Sequence, residues 1–304
     1  MRVKRTTSAA GNGSAKKSVE PSDLVRSILE ARGGDVVAAR KKVLRRGDGK
    51  SIHVLRVATR RLQATLEIFA ACLPDEARDR VDRRARKIRR RLGARRNSWV
   101  LRRLLGSFRA GSAPGEWKFM DDLARRLKAA EASADPIDRN ALPGIRDRMK
   151  ALLGEAAGLT PPPAREVLRD RVGAVLSGRS GAARARPEAM HRLRISIKRY
   201  RYALEVLAEA GVAGLDQAIA EARGLQRELG RLHDLDVLIE VVRKNPRAPG
   251  ARLFLSRVQR RRSLQAGRAL RALAAFHPAR AAGPGPGGRP RRVGPAAPAI
   301  QGAA

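Results

Sequence analysis

The segment IHVLRVATRRLQATLEIF at residues 52–69 recurs at residues 190–207 as MHRLRISIKRYRYALEVL. At a constant offset of 138, His53 meets His191, Leu55 meets Leu193 and Arg56 meets Arg194. Arg60, Arg61, Leu66 and Glu67 then meet Lys198, Arg199, Leu204 and Glu205. A second pair of segments follows in the same order at offset 137, RARKIRRRLGARRN (84–97) against EARGLQRELGRLHD (221–234). It matches Arg86 with Arg223, Ile88 with Leu225, Arg90 with Arg227, Leu92 with Leu229 and Gly93 with Gly230. One amphipathic basic segment can arise by chance. Two paired segments in one order require a chain built as two related halves.

Both segments read as helices with two unlike faces. At 100° per residue, His53, Arg56, Arg60 and Gln63 fall within about 80° of one another, with Leu55, Ala58, Leu62, Leu66 and Phe69 on the other side. The second copy opposes His191, Arg194, Lys198 and Arg201 to Leu193, Ile197, Tyr200, Leu204 and Leu207. Each helix therefore has one face for a core and another for an anion. In the second pair, Arg86, Arg90, Gly93 and Asn97 share a face, as do Arg223, Arg227, Gly230 and Asp234. A glycine between cations leaves room for close approach by a ligand or by a neighbouring helix.

The rest of the chain carries the same period. Helices are predicted near 22–32, 35–46, 51–71, 75–106, 116–132, 138–156, 164–177, 186–210, 214–243 and 250–276, and no alternating strand pattern stands out. Breaks fall at RRGDGK, CLPDE, GSAPGE, TPPPA, EAGVAG and KNPRAPG, all rich in Pro, Gly or Asp. The reading is an all-α protein of two helical-bundle halves, about 21–160 and 161–276, divided at TPPPA. A pseudo-twofold arrangement would bring the equivalent basic faces together around a groove or pore. Residues 1–20 are Ser/Gly/Lys-rich and 277–304 are Pro/Gly/Ala-rich, so both are expected to be disordered. Arg289, Arg291 and Arg292 in the second of these would add only loose electrostatic affinity.

Charge says what the faces are for. Lys and Arg total 66 against 29 Asp and Glu, a formal charge of +37. Self-repulsion on that scale calls for a compensating polyanion or counterions. The cations are 54 arginines and 12 lysines, and the arginine fork suits bidentate contact with phosphate oxygens. Part of the arginine excess is codon usage in a GC-rich genome, which does not explain the missing acids. Aromatic residues make up only 3% of the chain, which leaves little for stacking single-stranded bases. The lone cysteine, Cys72 in IFAACL, rules out an internal disulfide, suits a reducing cytoplasm and is expected to be a buried, inert thiol. No signal-peptide core precedes the first helix, and no apolar run approaches the roughly 18 residues of a membrane span.

The repeated H-x-L-R-(I/V)-x-x-(K/R)-R, followed in the second half by LGRLHDLDVL, resembles the CHAD domain, the conserved histidine α-helical domain. The resemblance covers roughly residues 22–276. It implies two helical bundles around a basic groove, binding of inorganic polyphosphate, and association with polyphosphate granules in the cytoplasm. Carried over by motif, the implied contacts are His53, Arg56, Arg60 and Arg61 with His191, Arg194, Lys198 and Arg199. Arg86, Arg90, Arg201, Arg223 and Arg227 join them from the shared helix faces. The family's Asp-x-Asp is present as Asp234 and Asp236, whereas the first half has Asn97 and Trp99 there. The acids are expected to orient neighbouring arginines, a task the first half must do differently or not at all. A metal held by His233, Asp234 and Asp236 is disfavoured, since these helix positions do not converge and nearby arginines would repel a cation.

No cofactor and no enzymatic activity are expected. The chain lacks a P-loop, an H-E-x-x-H and a G-x-S-x-G motif, and it has no Glu-x-Glu-x-Lys strand of a tunnel-type triphosphatase. Its nearest approaches to an acid cluster are Asp121 with Asp122 and HDLD. The alternative reading is a basic protein that binds nucleic acid without sequence preference, although no recognisable reading module is present. Oligomeric state is not legible.

Overall fold

A computed structural model describes residues 20–278 apart from 134–136, 139, 141, 157 and 183. Residues 1–19, the end from 279 and the three arginines there lie outside the described residues. The helices are α1 (Pro21–Arg46), α2 (Gly49–Ile68), α3 (Asp75–Arg91), α4 (Gly93–Gly106), α5 (Pro114–Ala132), α6 (Arg146–Glu155), α7 (Ala164–Ser180), α8 (Pro187–Glu209), α9 (Asp216–Arg243) and α10 (Ala251–Ala275). A 3-10 turn, Ala70–Cys72, follows α2, and the described residues contain no strand.

Three boundaries differ from the sequence expectation. The helices predicted at 22–32 and 35–46 are one, because Gly33 and Gly34 do not interrupt a single buried stripe running from Val25, Ile28 and Leu29 to Val36, Ala39 and Val43. Each glycine costs about 1 kcal/mol of helix propensity, and burial of that stripe exceeds the cost. Gly33 also admits Met149 of α6, whose Cγ would stand 3.1 Å from an added Cβ. The long helix predicted at 75–106 is two, broken at Leu92 (φ −89°, ψ 3°). The helix predicted at 138–156 is regular only from Arg146. Cys72 is half-buried rather than buried, and burial pushes its thiol pKa up.

The core has three parts. One joins α1, α2, α3 and α6 to Ala203 and Val206 of α8. A second joins α7, α8, α9 and the end of α10. The third packs α4 and α5 on Leu235, Leu238, Ile239 and Val242 of α9 and on Ala251, Phe254 and Val258 of α10. Helices that precede TPPPA thus pack against helices that follow it. The break at Leu92 permits this: Leu92 stays in the first core while Leu101 and Leu105 turn into the third. The aligned α9 carries Leu229 and Gly230 without interruption.

The repeated helices bury the faces read from the sequence. Leu55, Leu62 and Leu66 of α2 with Phe69 just after it, and Leu193, Ile197, Tyr200, Leu204 and Leu207 of α8, are all buried. The Asp48 side chain caps α2 by accepting from Ser51 N at 2.6 Å, while α8 starts with Pro187 in the first turn, where its missing N–H costs nothing. At the far end Tyr200 Oη donates to Pro278 O at 2.8 Å, tying the chain beyond α10 to the α8 core. With their apolar sides fixed and α2 packed on α8, the charged sides of the two helices face a common space.

Candidate functional site

That space is a groove of about 650 Å³ between α2, α3 and α8, lined among others by Arg60, Arg86, Arg89, Lys198, Arg199 and Tyr202. Its acids are engaged locally. Asp82 accepts from Arg86 and from Gln63 Nε2, Glu67 takes Arg171 at 2.7 Å, and Asp79 lies beside Arg78 at 3.5 Å. Among the described residues, none of Arg56, Arg60, Arg89, Lys198 and Arg199 has a carboxylate at ion-pair distance. Arg56 donates instead to Arg89 O at 2.5 Å, which gives direction without neutralising charge. Arg194 Nε is buried with no acceptor.

Crowded like charges and loss of water act on Arg56, Arg60, Arg89, Arg194 and Lys198. Burial, then Arg60, Arg96 and Arg89, push Arg56 down to about 10. Burial, then Arg194, Arg60, Arg96 and Arg201, push Lys198 down to about 6. Since Arg60 lies on α2, Arg96 on α4 and Arg194 on α8, these couplings mark where the two repeats meet.

The histidines sit at one end of this cluster. His191 and His233 face each other, Nδ1 to Nδ1 at 3.4 Å, with ring centroids 4.8 Å apart. Burial, then Arg194 and His191, push His233 down to about 4, and burial with Arg194 and Lys198 lowers His191. His53 stands at the surface, lowered by burial of its inner side and by Arg96, Arg60 and Arg56. All three are neutral near pH 7 with one N–H each. His53 can donate its own to an anion, and where one of the His191–His233 pair donates across their contact the other's Nε2–H is left for the anion.

Asp234 and Asp236 do pair with arginines. Asp234 lies 3.8 Å from Arg96, and burial pushes its carboxyl up while Arg96, Arg194 and Lys198 act against the rise. Asp236 accepts from Arg262 Nε at 2.8 Å. Among the described residues, no three His, Cys, Asp or Glu side chains are placed to hold a metal ion.

Three of the sequence-predicted cations belong to a different arrangement. Arg201 is buried, donates to Glu205 at 2.5 Å and to Gln226 at 2.8 Å, and stacks on Tyr202 with its guanidinium carbon 4.4 Å from the ring centre. Glu205, itself buried, also takes Arg223 at 3.0 Å and Arg61 at 3.7 Å. Arg201 therefore does not continue the open face of His191, Arg194 and Lys198. Arg90 lies exposed on the outer side of α3 beside Arg83, Arg86 and Lys87, and Arg227 is exposed on α9. The two glycines meet no neighbouring helix, since a Cβ on Gly93 or Gly230 would have nothing within 4 Å. Of the two explanations for them, helix packing is not met.

The CHAD domain family model matches residues 27–243. The chain belongs to the CHAD domain family. Its structure is similar to the crystal structure of the CHAD domain from the plant Ricinus communis, with a TM-score of 0.62, 22% identity, and coverage of 84% of this chain and 92% of that one. It is also similar to PptA from Streptomyces chartreusis, with a TM-score of 0.60, 20% identity, and coverage of 83% and 97%. At such identities the likeness is one of fold. No curated protein matches the chain.

Within this CHAD domain, the cations that sequence reading missed are Arg89 and Arg96. Arg96 was within reach, because offset 137 aligns it with His233. The two occupy corresponding places, His233 against His191 and Arg96 acting on His53. Arg89 stands in an unbroken arginine run, where only packing of α3 on α2 selects the residue that faces inward.

Proposed function

We propose that the protein binds inorganic polyphosphate along the groove between α2, α3 and α8. The observation that carries this reading is the convergence of half-buried cations from three helices with no carboxylate paired to them and only one aromatic ring, Tyr202, among the lining residues. Polyphosphate supplies about one negative charge per phosphate and no bases, so it needs spaced guanidinium groups and no stacking platform. Membership of the CHAD family supports the same ligand. Arg60, Arg89, Arg194, Lys198 and Arg199 form the central contacts, with Arg56, Arg86, Arg96 and the three histidines at the margins. The protein acts by binding and not by turnover, in the cytoplasm and at polyphosphate granules.

Three experiments test this. Long-chain polyphosphate should displace bound DNA at far lower phosphate concentration than DNA needs to displace polyphosphate, and equal displacement in both directions would favour a general phosphate-backbone binder. Polyphosphate incubated with the protein should keep its chain length, and shortening would make it an enzyme. A fluorescent fusion should lose its foci in cells unable to make the polymer. No described helix is long and apolar enough to cross a membrane.

A further inference from the structure

Lys198 is set apart from the other lysines by its surroundings. It lines the groove with Arg60 and Arg89 from the facing helices and Arg199 from its own, and Arg194, Arg60, Arg96 and Arg201 act on its amine. The acids that line the groove are held by Arg86, Arg78 and Arg171, and Asp234 is drawn to Arg96 and Arg194. Guanidinium groups bind phosphate but stay protonated and do not attack electrophiles. A lysine amine becomes a nucleophile once neutral. The groove thus combines a phosphate-binding wall with one amine inside it.

We propose that Lys198 is a modification site for small acyl phosphates, which dock their phosphate on the guanidinium groups and pass the acyl group to Nζ. The Nζ lone pair forms a C–N bond with the acyl carbon, and the acyl C–O bond to phosphate breaks. Inorganic phosphate leaves with that electron pair, the amine proton goes to it through solvent, and nothing is oxidised or reduced. The arginines that bind the donor also stabilise the leaving phosphate. A lysine of ordinary pKa is only ~0.1% neutral at pH 7.5, whereas burial and its cationic neighbours leave Lys198 mostly neutral there. The amide product can no longer take up a proton when a polyanion binds, so the complex forgoes one positive charge and the groove holds the polyanion less tightly.

The test is a time course of the full chain with acetyl phosphate at pH 7.5, with acetylation of every lysine quantified by peptide mass spectrometry. Exposed Lys118 and Lys128 serve as internal references. Lys198 should react on the order of tenfold faster than either, since a neutral amine is the reactive form. Excess inorganic phosphate should remove the preference, and N-hydroxysuccinimide acetate, which has no phosphate to dock, should show a smaller one. Reaction no faster than at the reference lysines overturns the proposal, as does an equal preference with both donors. Arg60→Gln with Arg89→Gln should reduce the preference severalfold. If that variant does not fold, phosphate competition in the unaltered protein decides.

Discussion

The indole of Trp99 lies on the first residue of α2: a Cβ built on Gly49 would stand 2.2 Å from Trp99 Cδ1 and Cγ. In the aligned halves Trp99 corresponds to Asp236 and Gly49 to Pro187. There Asp236 holds Arg262, and Arg262 Nη2 donates to Ala185 O at 2.6 Å, two residues before α8 begins. Each half fixes the start of its histidine-bearing helix, one by apolar contact and the other by an ion-paired strap. This accounts for the first half lacking a counterpart of Asp236. Where a tryptophan seats the helix start, no carboxylate is needed to aim an arginine.

Gly49→Ala should therefore destabilise the protein by about 2–3 kcal/mol, although alanine is the better helix former. Urea denaturation measures it. A neutral or stabilising result would mean that Trp99 can leave its place at no cost.

Arg56→Glu with Arg194→Glu places opposite charge where the two repeats meet. Polyphosphate affinity should fall about 100-fold or more at moderate salt, since charge-assisted phosphate contacts become repulsions. Circular dichroism should show unchanged helicity, and filter binding reads the affinity. Normal binding by the folded variant would remove these residues from the site.

The sequence alone located this pair because the repeat carries its own phase. Leu55 and Leu193 point inward in both halves, so Arg56 and Arg194 must point to one side of them. What periodicity does not carry is where a neighbouring helix covers that side. Arg201 has the phase of Arg194 and Lys198, yet α9 brings Gln226 across it and Glu205 lies one turn on. The break at Leu92 was hidden for a related reason. Its aligned partner Leu229 stays helical, and the difference comes from which core each following segment finds. The division between 22–32 and 35–46 fails in the other direction, since local pattern does not carry the Met149 contact that favours glycine at 33 within one continuous helix.

Binding should strengthen as pH falls from about 8 towards 6. In the free protein Lys198 is pushed down to about 6 and the three histidines are lowered. A bound polyanion raises all four, so the complex holds more protons than the free protein in this window and affinity rises with acidity. Free-protein stability has the opposite sign. The unfolded chain binds the Lys198 proton up to its ordinary pKa of about 10.4, while the folded chain releases it above about 6. Lys198 therefore makes stability rise with pH between these values and contributes its full penalty below them. Lys198→Met should flatten the melting-temperature profile of the free protein from pH 6 to 9, and calorimetry in two buffers should detect proton uptake on binding. No uptake would place Lys198 and the histidines outside the ligand's field.

Gly230→Ala separates stability from binding at one atom. The residue lies inside α9, a Cβ there meets no protein atom within 4 Å, and glycine in a helix interior costs about 0.5–1 kcal/mol relative to alanine. The substitution should raise stability by that amount. If polyphosphate passes close to the backbone beside His233 and Asp234, the added methyl occupies its path and affinity should fall even as the protein becomes harder to unfold. Denaturation and filter binding on one preparation read both. A more stable protein with unchanged affinity would show that the ligand keeps clear of α9 and runs along α2, α3 and α8 alone.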